Sequence, residues 1–118
     1  MLGINSSTIV GNVGSDPESR KLPNSDTTVC NFSVAVNDRY TSNDKKVERT
    51  EWVSVVCYGK LAEAMKNNLK KGAPLYVNGK LRTRSWEDKT HSDITHHKTE
   101  IIAETVRFLP NSNGKNTN

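Results

Sequence analysis

The stretch that decides the fold is Gly79-Lys80-Leu81-Arg82-Thr83-Arg84-Ser85-Trp86. Read as a strand, it sends alternate side chains to opposite faces, so Lys80, Arg82, Arg84 and Trp86 share one side while Gly79 and Leu81 take the other. Cations and a large flat ring on a single face are costly to bury, because unpaired charge is expensive to desolvate. A polyanion whose units also present flat rings would satisfy both features at once. Extended back to Pro74, the segment keeps its alternation. Leu75, Val77, Gly79 and Leu81 point inward, and Tyr76 and Asn78 point outward with the cations.

Upstream, Lys60 to Leu69 carries Leu61, Ala64, Met65 and Leu69 at helical spacing, and Lys70-Lys71-Gly72 follows with cations at the helix's negative end and a left-handed stop. Before this helix, Glu51 to Tyr58 reads as a strand with Val53, Val55 and Cys57 toward a core and Trp52, Ser54, Val56 and Tyr58 facing away. Thr27 to Asn37 alternates in the same manner, with Cys30, Phe32, Val34 and Val36 as its apolar row. Between these two strands, Asp38 to Thr50 is charged and hydroxyl-rich, and Ser42-Asn43-Asp44 marks a reversal, which predicts a long mobile hairpin loop. Tyr40 has the parity of the core row, so a bend or bulge near Asp38 is expected to turn it out.

At the start of the chain, Ser7 to Val13 reads as a strand bent or bulged near Gly11 and Gly14. Asp16 to Asp26 reads as a loop with Arg20 and Lys21 exposed at its centre. Beyond Trp86, Glu87 to Thr95 is loop-like, and a last strand runs from about Lys98 to Leu109, its alternation slipping at a bulge near Glu104. The order is three strands, one helix between the third and fourth, and two more strands. That order matches the OB-fold, an all-β, five-stranded Greek-key barrel whose outer face and loops hold single strands or oligosaccharides.

The chain has 118 residues, enough for one domain with its own core, assigned to residues 1–109; residues 110–118 read as a disordered polar tail. Only 33% of residues are hydrophobic, so few aromatics are spare for ornament. The formal net charge of +4 favours an anionic partner. Cys30 and Cys57 lack the spacing of a redox or zinc motif and point to a reducing, cytoplasmic setting. No basic leader and no long apolar run appears, so a soluble protein that does not contact membrane is expected.

A family resemblance joins these pieces. Ile9-Val10-Gly11-Asn12-Val13-Gly14 with Asp16-Pro17-Glu18, then Thr50-Glu51-Trp52, Tyr58-Gly59-Lys60-Leu61-Ala62-Glu63, Lys71-Gly72 and Tyr76 to Trp86 together resemble the bacterial single-stranded DNA-binding protein family, in order from about residue 5 to 109. The resemblance implies an OB-fold, a homotetramer, and sequence-independent binding of single-stranded DNA in replication, repair and recombination. It places the base-stacking aromatics on Tyr40, Trp52, Tyr58 and Trp86, and the phosphate contacts on Arg20, Lys60, Lys70, Lys71, Arg82 and Arg84. Strand parity adds Lys80. Tyr76 is the candidate for a subunit interface. Val53 stands where many members have His at a subunit contact, and Phe108 to Asn118 carries no acidic, Phe-ending tip, so recruitment of other proteins through such a tip is not expected.

Other chemistry is sparse. His91, His96 and His97 lie in a segment read as a polar loop with no Cys or carboxylate cluster to complete a metal site. Gly11 to Gly14 lacks the Gly-Lys-Ser or Gly-Lys-Thr of a phosphate loop. Cys30 and Cys57 fall in core rows rather than at a nucleophile's position. No enzyme activity, cofactor or metal is expected. Two rivals remain open: another OB-fold single-strand binder with a different assembly, and a nuclease on the same fold.

Overall fold

The computed structural model describes residues 2–110. The polar tail expected beyond Pro110 lies outside the described residues. Strands β1 (Ser7–Val13), β2 (Glu18–Lys21), β3 (Thr28–Ser42) and β4 (Lys45–Tyr58) precede helix α1 (Gly59–Asn68), which β5 (Pro74–Glu87) and β6 (Thr95–Phe108) follow. Five of the strands close on themselves: β1 pairs β5, β5 pairs β6, β6 pairs β4, β4 pairs β3, and β3 returns to β1. Closure joins the two ends of the sheet where β1 meets β3. It depends on two short contacts, Asn12 and Val13 of β1 against Ala35 and Val34 of β3, and a parallel pairing of Ser54, Val55 and Val56 with Glu100, Ile101 and Ile102. The OB-fold expected from the element order is the observed fold.

The segment read as a loop around Arg20 and Lys21 is instead a short strand. Glu18 to Lys21 pairs with Thr28 to Asn31 on the edge of β3 that β1 leaves free. Its four residues are exposed, so no apolar alternation betrays it, and backbone pairing alone holds it. With β2 counted, the helix falls between β4 and β5 rather than between a third and fourth strand.

The core is the set of rows the alternation identified. Cys30, Phe32 and Val34 from β3, Val55 and Cys57 from β4, Leu75 and Val77 from β5 and Ile101 and Ala103 from β6 are buried, capped by Ala62, Met65 and Leu69 of the helical segment. Val53 packs against this cluster, as its parity requires. Cys30 and Cys57 are register partners across β3 and β4, both wholly buried. Burial raises the Cys30 thiol, and burial together with Cys30 pushes Cys57 up to about 12. The helix ends at Asn68 on an extended Leu69 cap, so the left-handed stop expected at Gly72 is not its cap; Gly72, at φ +91, turns the chain three residues later, past the lysine pair.

Val29 and Val56 lie on outward rows, as their parity requires, yet are only 2% and 5% exposed, in a hollow lined also by Arg20, Leu22, Tyr58 and Arg84. Leu81, placed inward, is 47% exposed, since β5 has by then run past the end of the barrel.

Both long hairpins extend well beyond the core. The segment Asp38 to Thr50 is no loop: β3 and β4 stay paired without a break from Val29–Tyr58 to Ser42–Lys45. The turn residues Asn43 and Asp44 have φ of 53 and 62, the paired left-handed conformation of a tight hairpin. No bulge turns Tyr40. It keeps the parity of Val34 and Val36 and is exposed because no core reaches that far along the arm. The β5–β6 arm is longer than the sequence implied, with β6 starting at Thr95 and only Asp88 to Ile94 left as a loop. The bulge expected near Glu104 is present, since Asn78 pairs with Thr105 and Gly79 with Ala103, leaving Glu104 unpaired. At this crossing Gly79 is required, because a β-carbon there would lie 2.1 Å from the carbonyl oxygen of Ile102.

Candidate nucleic-acid interface

Register partners point to the same side of a sheet, so the pairings assemble one continuous outer face. Glu18 and Arg20 of β2 sit beside Asn31 and Val29 of β3, and Val29, Ser33 and Ala35 lie beside Tyr58, Ser54 and Trp52 of β4. Ser54 and Val56 neighbour Glu100 and Ile102 of β6, whose row continues through Lys98 and His96. Across from that row stand Lys80, Arg82, Arg84 and Trp86 of β5. Adjoining hollows along this face share Asn31, Arg84 and Glu100, one reaching Ser15 and Glu18, the other Arg20 and Tyr58.

Three of the four aromatics expected to stack therefore share a face. Trp52 is 64% exposed, Trp86 42% and Tyr58 39%. Trp52 lies over the end of β1, where a β-carbon on Gly14 would be 2.3 Å from its ring, so a glycine is what lets the indole rest on backbone. Tyr40 is not on this face. Its partner is Val47, and the Arg49 guanidinium lies 5.5 Å from its ring centre, all on the opposite side of the β3–β4 arm.

The cations divide by their surroundings. Arg84 donates from Nε to Glu100 Oε1 at 3.1 Å, and its guanidinium lies 4.8 Å from the centre of the Trp86 ring. The Glu100 side chain is only 7% exposed, so Arg84 compensates a carboxylate that would otherwise be buried unpaired. Lys80 lies 3.7 Å from Glu104, the bulged residue, across solvent-exposed surface. Among the described residues Arg20, Arg82 and Lys98 have no ion-pair partner, and they are the free cations of the face. Lys60, in the first turn of α1, and Lys70 and Lys71, in the turn after it, are exposed but lie off the sheet face. That turn is tied to the barrel where Gly72 N–H donates to the Val13 carbonyl at 2.7 Å, one residue before Gly14.

Tyr76 sits where β5 pairs with β1, opposite Val10, which is 53% exposed. Thr105, Arg107 and Leu109 complete a shallow hollow beside it.

Sequence reasoning missed Glu100, Lys98 and His96. His96 and His97 are strand residues of β6, not loop residues. The signal was available in principle: once β6 is started at Thr95, His96, Lys98 and Glu100 fall on one parity, opposite the basic row of β5.

A closed barrel with a helix between β4 and β5, and a long face mixing rings and cations, places the chain among OB-fold proteins. Many solved structures share this architecture. The chain superposes on the single-stranded DNA-binding protein of Plasmodium falciparum, solved in complex with single-stranded DNA, with a TM-score of 0.83 and 29% identity, covering 92% of this chain and 97% of that one. A small single-stranded DNA-binding protein from Streptomyces coelicolor matches with a TM-score of 0.71 and 24% identity, over 92% of this chain and 96% of that one. Residues 4–109 match the single-strand binding protein family, and the chain belongs to that family.

Proposed function

We propose that this protein binds single-stranded DNA without sequence preference, acting in replication, repair and recombination in the cytoplasm, and that it catalyses no reaction. The carrying observation is the row of exposed rings, Trp52, Tyr58 and Trp86, on one face with Arg20, Arg82 and Lys98. A single strand exposes base faces beside a charged backbone, and such a face offers a stacking partner and a counter-charge for each. Family membership and the DNA complex of the Plasmodium protein support the same reading.

The strand runs across β4, β6 and β5, stacking on Trp52, Tyr58 and Trp86 while Arg20, Lys80 and Arg82 attract phosphates. Arg84 acts differently from its neighbours, holding Trp86 flat while its charge is spent on Glu100. Lys60, Lys70 and Lys71 extend the positive field at the α1 end, and Tyr40 is reached when the strand passes round the β3–β4 arm. The protein assembles as a homotetramer, with the half-exposed Val10 and the Tyr76 hollow as one subunit contact.

Intrinsic tryptophan fluorescence tests the reading directly. Adding oligo-thymidine quenches it strongly, and a Trp52→Ala, Trp86→Ala double variant loses both the quench and most of the affinity. Unchanged affinity in that variant would overturn the stacking assignment. A solution mass equal to the monomer would overturn the assembly.

A further inference from the structure

We infer that His96 is a further single-strand contact, a ring that extends the Trp86 platform over the bound strand; this rests on the single-strand reading above. His96 and Trp86 are register partners at the outer end of the β5–β6 arm, and their ring centres are 5.6 Å apart with planes inclined by 31°. The two rings form a tilted pair within the range of aromatic contact. The imidazole remains 44% exposed, open to a base arriving over the indole.

Its orientation is fixed from the loop. His96 Nε2 lies 2.8 Å from Asp88 Oδ1, and the other carboxylate oxygen of Asp88 accepts from Thr90 N–H at 3.0 Å, Thr90 Oγ1 at 2.8 Å and His91 N–H at 3.0 Å. Asp88 is thus held in place, and its carboxyl is kept down near about 2, first by His96 and then by Thr90. It stays anionic through the physiological range and can only accept, so Nε2 carries the proton it donates. The ring is thereby fixed beside the indole with its surface open to a base.

The test is the affinity for oligo-thymidine at fixed salt and pH, for the full chain and for His96→Ala and His96→Phe. Loss of one stacked ring should weaken binding at least about fivefold in His96→Ala, while His96→Phe, which keeps a ring, should stay within about twofold of the parent. Equal affinity in the parent and His96→Ala, or an equal loss in both variants, overturns the inference while leaving the single-strand reading intact. No binding by the parent overturns the single-strand reading itself. Thermal melting of each variant confirms that the barrel is folded, which exposed arm positions permit.

Discussion

The two hairpin arms are built from similarly polar sequence and end differently. The β3–β4 arm runs in unbroken register to a two-residue turn, and its one aromatic, Tyr40, inherits the parity of the core row. The β5–β6 arm crosses a bulge at its root, and its aromatic, Trp86, lies on the outer face, flanked by Arg84 and His96. At the first root Thr50 donates to the Asn37 side chain at 2.8 Å across an exposed surface; at the second, Gly79 passes directly over the Ile102 carbonyl. One arm is a simple extension of the barrel. The other is a fitted platform, and the difference teaches that exposure alone does not place an aromatic on a binding path; parity does.

The sharpest way to break this contrast is at the roots. Gly79→Ala forces a β-carbon onto backbone that cannot yield, and should cost about 3 kcal/mol in urea unfolding. Asn37→Ala at the other root removes one exposed hydrogen bond and should cost less than about 1 kcal/mol. Equal losses would mean that both arms are anchored alike.

Next come the rings. Trp86→Ala should weaken binding to a strand of about twenty thymidines by roughly 2 kcal/mol, or about 30-fold. Tyr40→Ala on the same ligand should cost about threefold or less, with its effect growing only on longer strands that can wrap the arm. A Tyr40 effect as large as that of Trp86 would put the path on the other side of the β3–β4 arm.

A smaller effect separates two arginines of one row. Arg82→Ala should lower the slope of log affinity against log salt by ~0.7, the share of one phosphate. Arg84→Ala should leave that slope nearly unchanged but reduce the Trp86 quench, because its charge answers Glu100 rather than DNA. The smallest effect is acid loosening of the β5–β6 loop. Asp88 has its carboxyl lowered from 3.8 to about 2 by His96 and Thr90. A lowered carboxyl contributes stability above its unfolded value and loses it as pH falls through the folded one. Amide shifts of Thr90 and His91 should therefore move between about pH 4 and 2.

The barrel was legible in the sequence wherever one side of a strand is buried. Alternation in Thr27 to Asn37, Glu51 to Tyr58 and Pro74 to Trp86 located the core rows, and even the slip at Glu104 proved to be a real bulge. Legibility failed where neither side is buried. Glu18 to Lys21, Asp38 to Thr50 and the start of β6 at Thr95 to His97 are held by backbone pairing, which leaves no apolar signature, so all were read as loops. The same limit hid part of the interface. Arg82, Trp86, Trp52 and Tyr58 were found because their own strands alternate, whereas Glu100 and His96 acquire their position only from the register of β6 against its neighbours.

The facing pair of Cys30 and Cys57 supplies the molecule with a built-in clock for barrel opening. Both thiols are sealed, with Cys57 pushed up to about 12, and they sit in the half of the β3–β4 hairpin that the core covers. A thiol reagent meets them only when the closed sheet itself parts. Fraying of the arms leaves them silent, so labelling rates with and without bound DNA would distinguish a ligand that tightens the whole barrel from one that merely orders its extremities.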